Sequence, residues 1–384
     1  MMLDNQAKIA ALDAQGMLKC VENAPGFMDW CLNTYELDES VNLDVKLKNF
    51  LPSDIKSIFI SGMGGSAISG DLVHDWVKDD IKLPVLVLRG YHLPTYIDDG
   101  WVGFFLSYSG MTEETLSSYV DAKKRGIKCV VVVSGGLLEE WAGKSGDLCF
   151  KVPGGFQPRA ALLYLFTTLG IVLAHCGFMD AATMITDLKE AAGVLKALTG
   201  KYGRSVPVSK NKAKKDALTI HGTTPVIYGF DFYQSVARRF KCQFNENGKN
   251  PAYWDVFSEL NHNEAVGWEV ATKVSKMFTC LFLRDPSAES APVTTRIEFM
   301  KNLVGEKAKA IIEVTPEGTS RVARMLSLVY WADFTSVYLA FANGADPTPV
   351  KSIQGLKDEL GKRLNLQKQL TEQFEDLLSE EPVR

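Results

Sequence analysis

The strongest constraint on the fold is an alternation of short apolar runs with polar stretches of helix length. In the first half of the chain these runs occupy residues 56–61, 84–88, 102–107, 127–133 and 147–152. Strands that alternate with helices form βαβ units, whose parallel sheets are buried on both faces. The second half repeats the pattern at residues 225–229, 277–283 and 308–314. The sequence therefore predicts an α/β protein with two domains, each a parallel β-sheet flanked by helices.

Helical spacing and charge set the expected domain boundaries. The expected order is an N-terminal helical segment, a first domain, a linker, a second domain and a C-terminal helix, over residues 1–40, 41–198, 199–216, 217–349 and 350–384. The linker carries six Lys or Arg and a single acid, Asp216. We interpret it as a solvated connection rather than as an anion-binding patch. In the last segment, apolar side chains recur at helical spacing, which predicts a helix packed on its own domain.

Composition excludes several classes of protein. The 384 residues carry 42 basic and 46 acidic side chains, whereas nucleic-acid-binding proteins usually have a basic excess. Seven widely spaced cysteines without a C-x-x-C pair indicate reduced thiols in a cytosolic protein, not disulfides or a zinc site. The N-terminus has no signal-peptide pattern. Residues 160–179 lack charge, but Thr167, Thr168 and Gly170 interrupt the apolar run, so a buried helix is favoured over a membrane span. We expect a cytoplasmic protein with no membrane or nucleic-acid partner.

A glycine-rich turn, Gly62-Met-Gly64-Gly65-Ser66-Ala67, follows the first predicted strand. Glycines allow a sharp turn, and the next helix then presents free N–H groups that suit a phosphate. The same letters fit G-x-G-x-x-A, the dinucleotide fingerprint. An NAD site would place an acid at the end of the second strand, where this chain has Arg89, which would suit NADP instead. A tight turn without a ligand is the third alternative.

A second loop, Ser107-Tyr-Ser109-Gly-Met-Thr112, ends the third predicted strand and opens a helix. Hydroxyl and backbone donors at a helix start can hold a monophosphate. Simple N-capping is the alternative, but a cap uses one hydroxyl and this loop supplies three. Glu113 and Glu114 follow the loop and would have to point away from a phosphate.

Three further polar positions are candidates for chemistry. Arg159 begins the uncharged segment and is either a helix-end cation or an anion-stabilising group. Glu246 lies among Asn and Gln side chains in residues 243–250, and His262 lies between two Asn. Such sets can hold a carboxylate and a hydroxylated substrate, although ordinary exposed loops would read the same way. We interpret the other four histidines as structural.

Five ordered motifs resemble those of a known family: Gly-Met-Gly-Gly-Ser-Ala-Ile-Ser-Gly-Asp (62–71), Ser-Tyr-Ser-Gly-x-Thr-Glu-Glu-Thr (107–115), Pro-Arg-Ala-Ala (158–161), Asn-Glu-Asn (245–247) and Asn-His-Asn-Glu-x-x-Gly-Trp (261–268). With them, the chain resembles the bifunctional phosphoglucose/phosphomannose isomerases of the sugar isomerase (SIS) superfamily. Residues 346–357 fit as well. The resemblance implies two SIS subdomains, an active site between them and across a homodimer, and no cofactor or metal.

The resemblance also implies a role for each candidate residue. The substrate phosphate would be held by Ser66, Ser107, Ser109 and Thr112. Arg159 would stabilise the enediolate, Glu246 would move the proton between C1 and C2, and His262 of the other subunit would assist ring opening. Lys357 would correspond to a C-terminal active-site lysine. Met111 departs from the family pattern, which has Asn at this position.

The physical requirements of aldose–ketose isomerisation match these residues: a base, a phosphate anchor and a cation near the developing oxyanion. We therefore expect an isomerase that interconverts glucose 6-phosphate and/or mannose 6-phosphate with fructose 6-phosphate. A non-catalytic SIS-type sugar-phosphate binding or regulatory protein is the alternative. Such a protein would keep the Ser/Thr loops but would not need Glu246 and His262. An NADP-dependent oxidoreductase is a further rival.

Overall fold

The computed structural model describes residues 2–36, 42–270 and 272–379. Its strands are β1 Ser57–Ser61, β2 Val85–Leu88, β3 Trp101–Ser107, β4 Lys128–Val133, β5 Leu148–Lys151, β6 Thr224–Phe230, β7 Tyr253–Phe257, β8 Phe278–Leu283 and β9 Ala310–Val314. Its α-helices are α1 Gln6–Leu12, α2 Met17–Asn23, α3 Pro25–Cys31, α4 Leu43–Phe50, α5 Gly64–Val77, α6 Glu113–Lys124, α7 Leu137–Ser145, α8 Leu162–His175, α9 Ala181–Tyr202, α10 Lys212–Ile220, α11 Gln234–Glu246, α12 Glu264–Gly267, α13 Ala291–Gly305, α14 Arg321–Ala342, α15 Lys351–Arg363 and α16 Leu366–Ser379. The predicted helical segments extend at residues 37–40 and 380–384 beyond the described residues.

The strands form two parallel sheets, which confirms the predicted α/β class. The first sheet has the order β2-β1-β3-β4-β5, and the second has the order β7-β6-β8-β9. All eight predicted strands are present. The sequence analysis missed one strand, β7. This edge strand pairs only with β6, and its first residue, Tyr253, is exposed.

The chain divides into two compact units that do not follow the order of the predicted segments. Residues 26–186 and 350–379 form the β1–β5 unit, and residues 2–25 and 187–349 form the β6–β9 unit. The C-terminal helices thus join the unit built from the first half of the chain, and the N-terminal residues join the unit built from the second half. Contacts between distant residues account for both assignments. In the β1–β5 unit the ring of Phe374 stacks on that of Trp141, with centroids 4.7 Å apart. In the β6–β9 unit the Tyr330 hydroxyl donates to the Val21 carbonyl at 2.8 Å.

The basic segment at residues 199–216 is not solvated throughout. Its ends belong to α9 and α10, and Lys214 is fully buried. The ammonium of Lys214 donates to the main-chain carbonyls of Arg204 at 3.0 Å and Val206 at 2.8 Å. This lysine therefore ties α10 to the loop that precedes it.

Two other predicted helical segments are present. The uncharged segment forms α8, in which Leu162 to Ala174 are all buried, as predicted for a core helix. Residues 158–175 and α14 are both long and apolar enough to cross a membrane, yet 83% and 89% of these spans are buried inside the protein. The predicted helical C-terminus is present and is divided into α15 and α16 at Asn365, which adopts a left-handed φ of 45°.

Candidate active site

The two loops singled out from the sequence lie side by side at one edge of the first sheet. Strand β1 pairs with β2 on one side and with β3 on the other. In open α/β sheets, ligands bind outside the carboxyl ends of the strands at such a switch point. The glycine turn (residues 62–66) follows β1, and the hydroxyl loop (residues 107–112) begins at the end of β3. We call the space that these two loops line the first crevice.

Close main-chain contacts require the glycines of this turn. A Cβ placed on Gly62 would lie 2.8 Å from the carbonyl oxygen of Leu106, and one on Gly65 would lie 3.0 Å from that of Pro158. Gly64 has a φ of +53°, which side chains rarely adopt. The turn therefore sets the N-terminus of α5 directly against residues 158–159.

Ser66 links the glycine turn to the hydroxyl loop. Its side chain is buried in the first turn of α5, and its Oγ accepts a hydrogen bond from the main-chain N–H of Tyr108 at 3.3 Å. The N-terminal end of this 14-residue helix, where Ser66 lies, carries a partial positive charge. The position of Ser66 thus fits its predicted place at an anion site.

The hydroxyls of the second loop do not cap α6. Thr112 occupies the N-cap position but makes no side-chain capping bond, and its Oγ1 accepts a hydrogen bond from Ser107 Oγ at 3.2 Å. The Oγ of Ser109 is exposed and accepts from the Met111 N–H at 3.2 Å. The capping alternative is therefore wrong, and the N-terminus of α6 keeps its uncapped main-chain donors.

A glycine pair after β4 fixes the hydroxyl loop. Gly110 has a φ of +63°, and a Cβ on it would lie 1.8 Å from the carbonyl oxygen of Gly135. A Cβ on Gly136 would lie 2.4 Å from the carbonyl oxygen of Ser109. The two loops thus pack main chain on main chain. The sequence analysis missed residues 135–136, although a Gly-Gly pair directly after a strand was a usable signal.

Arg159 lies beside the first crevice. It is 3% exposed in a short 3₁₀-helix, Pro158–Ala161, and a Cβ on Gly65 would lie 3.3 Å from its Cα. A buried guanidinium beside a helix N-terminus adds to the positive potential there. The crevice therefore combines hydroxyls, main-chain donors and one cation.

Two further charged groups bear on the predicted ligand. Arg89, the residue that would suit NADP, forms an ion pair with Asp71 of α5. Its guanidinium is thus already matched by a carboxylate, which weakens the dinucleotide interpretation.

Burial, and secondly the charge of Glu114, raises the pKa of Glu113 at the start of α6. This direction fits a carboxylate that is disfavoured where a second negative group is near.

Glu246 is the last residue of α11, so the polar stretch of residues 243–250 is helical as far as Glu246 and then forms a turn. Its neighbour Asn247 is buried and donates to the Ser336 hydroxyl at 3.1 Å. The ammonium of Lys249 bonds the carbonyls of Glu246, Pro347 and Pro349. These contacts fix the main chain around the Glu246 carboxylate.

His262 ends a 3₁₀-helix, Glu259–His262, and is exposed, unlike a core histidine. The neighbouring Asn263 caps α12 through its side chain. Lys357 is exposed on α15.

Among the predicted residues, the structure brings the four phosphate-site hydroxyl residues and Arg159 together in the β1–β5 unit, to which Lys357 also belongs. Glu246 and His262 belong to the β6–β9 unit.

Within the described ranges, no group of three or more His, Cys, Asp or Glu is arranged to hold a metal ion. The seven cysteines are free thiols, and Cys31, Cys129 and Cys280 are buried. Burial raises the pKa of the Cys31 thiol to about 12, so this thiol stays protonated near neutral pH.

Comparison with protein families identifies close relatives. A sequence model of the bacterial phospho-glucose isomerase C-terminal SIS domain matches residues 209–360. A bifunctional phosphoglucose/phosphomannose isomerase of Caldicellulosiruptor bescii is 39% identical over 90% of this chain and 98% of its own length. The Aquifex aeolicus protein of the same name is 37% identical over 80% of this chain and 91% of its own.

Solved structures support the same fold. The C-terminal domain of glucosamine-fructose-6-phosphate aminotransferase from Francisella tularensis superposes with a TM-score of 0.67 at 16% identity. The match covers 87% of this chain and 98% of that domain. At this identity the likeness concerns the arrangement of sheets and helices alone.

Proposed function

The chain belongs to the bifunctional phosphoglucose/phosphomannose isomerase family, and we propose on that premise how its residues share the reaction. The enzyme interconverts glucose 6-phosphate and/or mannose 6-phosphate with fructose 6-phosphate. The observation that carries this conclusion is the 39% identity over 98% of a relative. The hydroxyl-lined first crevice supplies the independent physical support.

The first crevice anchors the substrate phosphate. Ser107, Ser109 and Thr112 offer hydroxyls, while Ser66 lies at the positively charged end of α5. A phosphate bound there holds the sugar at a fixed distance from the base, so binding energy far from the reacting carbons sets the geometry. Met111 lies within this loop, where its Sδ accepts a hydrogen bond from the main-chain N–H of Leu137 at 3.3 Å, but it has no amide group like that of the family's Asn.

Glu246 is the base. After ring opening, which His262 assists, the Glu246 carboxylate removes the proton from C2 of the open-chain aldose. The C2 electrons form the C1–C2 double bond, and the former carbonyl oxygen on C1 becomes an oxyanion that Arg159 stabilises. Protonation of C1 by the Glu246 carboxylic acid, with transfer of the O2 proton to the O1 oxyanion, gives the ketose and restores the carboxylate. Lys357 acts at the same site.

One enediol serves two aldoses. Glucose 6-phosphate and mannose 6-phosphate differ only in configuration at C2, and that centre is planar in the intermediate. An enzyme that returns the proton to either face of C2 therefore connects both with fructose 6-phosphate. The glucose reaction is a step shared by glycolysis and gluconeogenesis, which fits a cytoplasmic enzyme.

We propose that the enzyme is a C₂ homodimer in which His262 serves the site whose Glu246 belongs to the partner subunit. In a heterodimer of Glu246→Gln and His262→Ala chains, one site has both lesions and the other has neither. Random reassortment of two inactive variants should therefore restore about a quarter of wild-type activity. No recovery in demonstrated heterodimers would place both residues in one subunit's site.

The experiment that tests the activity is incubation of the enzyme with the three hexose 6-phosphates in turn, with the products identified by NMR. An isomerase converts fructose 6-phosphate to at least one aldose in the absence of any redox cofactor. Binding of the sugar phosphates without conversion would instead identify a non-catalytic binding protein.

A further inference from the structure

The second sheet has a crevice at the same topological position as the first. Strand β6 lies between β7 and β8, just as β1 lies between β2 and β3. After the last strand of each sheet comes a long buried helix, α8 or α14, and each begins at an arginine: Arg159 precedes α8, and Arg321 opens α14. The second crevice is formed by residues 231–235, 284–287 and 321–324, all in the β6–β9 unit.

A carboxylate of the chain itself occupies this second crevice. Asp285 lies two residues beyond the end of β8, as Ser109 lies two residues beyond the end of β3. Its side chain is buried and accepts hydrogen bonds from the Tyr233 hydroxyl at 2.6 Å and from Arg324 Nη1 at 2.8 Å. The other carboxylate oxygen accepts from the N–H and the hydroxyl of Ser287, at 3.1 and 2.5 Å.

Two arginines flank an aromatic ring beside Asp285. The guanidinium carbons of Arg321 and Arg324 lie 4.9 and 5.7 Å from the ring centroid of Phe232. The Nε of Arg324 is buried and has no hydrogen-bond partner among the described residues. Burial, followed by the bond to Asp285, raises the pKa of Tyr233, so its hydroxyl remains a donor.

This donor set is the kind that a phosphate requires: two hydroxyls, a main-chain N–H and a guanidinium. We propose that the second crevice is a latent phosphate site, which Asp285 closes by standing in for the ligand anion. Each chain then takes up phosphate only at the first crevice. The comparison with the first crevice rests on the proposed function, but the donor set at Asp285 does not.

Replacing the carboxylate tests the proposal. Asp285→Ser removes the internal anion and is made in a chain whose first crevice is disabled by Ser109→Ala and Thr112→Val. The probe is inorganic phosphate, and the readout is the melting temperature of the full-length protein at constant ionic strength. A ligand at about 100 times its Kd favours the folded state roughly 100-fold, which raises that temperature.

Asp147→Ser in the same background is the matched control. Asp147 is a buried carboxylate that also accepts from a tyrosine hydroxyl, that of Tyr119 at 2.6 Å, and pairs with Lys123 at 2.9 Å. It precedes β5, away from the carboxyl ends of the strands.

The proposal expects phosphate to stabilise the Asp285→Ser chain but not the control, and expects Arg324→Met to abolish that response. Folding of Asp285→Ser only in the presence of phosphate would also support it, and the shape-preserving Asp285→Asn, which still fills the crevice, should not respond. No response from the Asp285→Ser variant, or a response that survives Arg324→Met, would overturn it. If the chain that carries only Ser109→Ala and Thr112→Val is itself stabilised by phosphate, that result counts against phosphate binding by Ser109 and Thr112 in the first crevice, and not against the second crevice.

Discussion

Gly65 and Arg159 meet through their main chains: a Cβ placed on Gly65 would lie 3.3 Å from the Cα of Arg159. This contact holds the N-terminus of α5 against the 3₁₀-helix that carries the buried guanidinium. The arrangement requires glycine at position 65, because any other residue would place a Cβ in this contact. The proposed phosphate anchor and the proposed oxyanion-stabilising cation are therefore coupled through the backbone.

Gly65→Ala should damage both stability and activity. The added Cβ meets the main-chain atoms of residues 158–159, which cannot rotate away, so we expect a loss of about 1–3 kcal/mol in the free energy of unfolding. We also expect a lower kcat/KM, because α5 and Arg159 are forced apart. Gly143→Ala is the matched control, since a Cβ there has no neighbour within 4 Å and should be tolerated. Equal behaviour of the two variants would contradict the contact.

Thr112→Val should weaken phosphate binding. The substitution keeps the shape of the side chain and removes the hydroxyl, and losing one charge-assisted hydrogen bond costs roughly 1.5–3 kcal/mol, about tenfold to a hundredfold in binding. Steady-state kinetics with hexose 6-phosphates should show a raised KM. Thr295→Val, on the exposed face of α13, is the control. Unchanged KM and kcat in a folded Thr112→Val enzyme would remove Thr112 from the phosphate site.

Stability should depend on pH through His175. Its Nδ1 lies 2.7 Å from Asp44 Oδ1 and its Nε2 lies 2.7 Å from Glu36 Oε2. Burial lowers the pKa of His175, but the two carboxylates outweigh it and the net pKa is raised. A raised folded-state pKa gives stability that is fully present below the unfolded value of about 6.5 and is lost as the pH rises through the folded value.

His175→Gln should therefore destabilise the protein more at pH 6 than at pH 9. Urea unfolding of both proteins across this range measures the difference, with the exposed His92→Gln as the control. A destabilisation that is the same at every pH would mean that the charge on His175 contributes nothing.

The local features of the fold followed from the sequence because each depends on adjacent residues. Runs such as residues 127–133 fall within a few positions of the observed strand, and the loops after β1 and β3 meet because parallel strands end at one edge. Membership of the predicted family is confirmed by relatives at 37–39% identity. Strand β7 was missed because, at a sheet edge, it includes Asp255 and begins with an exposed Tyr253.

What the sequence could not supply were contacts between distant segments. Nothing near Phe374 indicates that it stacks on Trp141, or that residues 2–25 join a unit built mostly from residues 187–349. The helical state of Glu246 was hidden by the Asn residues around it, since Asn favours caps and turns over helix interiors. The hydrogen bond from Asn247 to Ser336 holds the chain at the end of α11.

The central claim is that Glu246 moves one proton between C2 and C1 of a phosphate-anchored sugar. Incubation of fructose 6-phosphate with the enzyme in D₂O, followed by NMR, measures that transfer. The wild-type enzyme should form glucose 6-phosphate and/or mannose 6-phosphate with deuterium at C2. Glu246→Gln should lower the rate by roughly 10²–10⁴-fold while still binding a linear sugar-acid phosphate, and Glu306→Gln should behave as wild type. Deuterium exchange at the wild-type rate in the folded Glu246→Gln enzyme would contradict the claim.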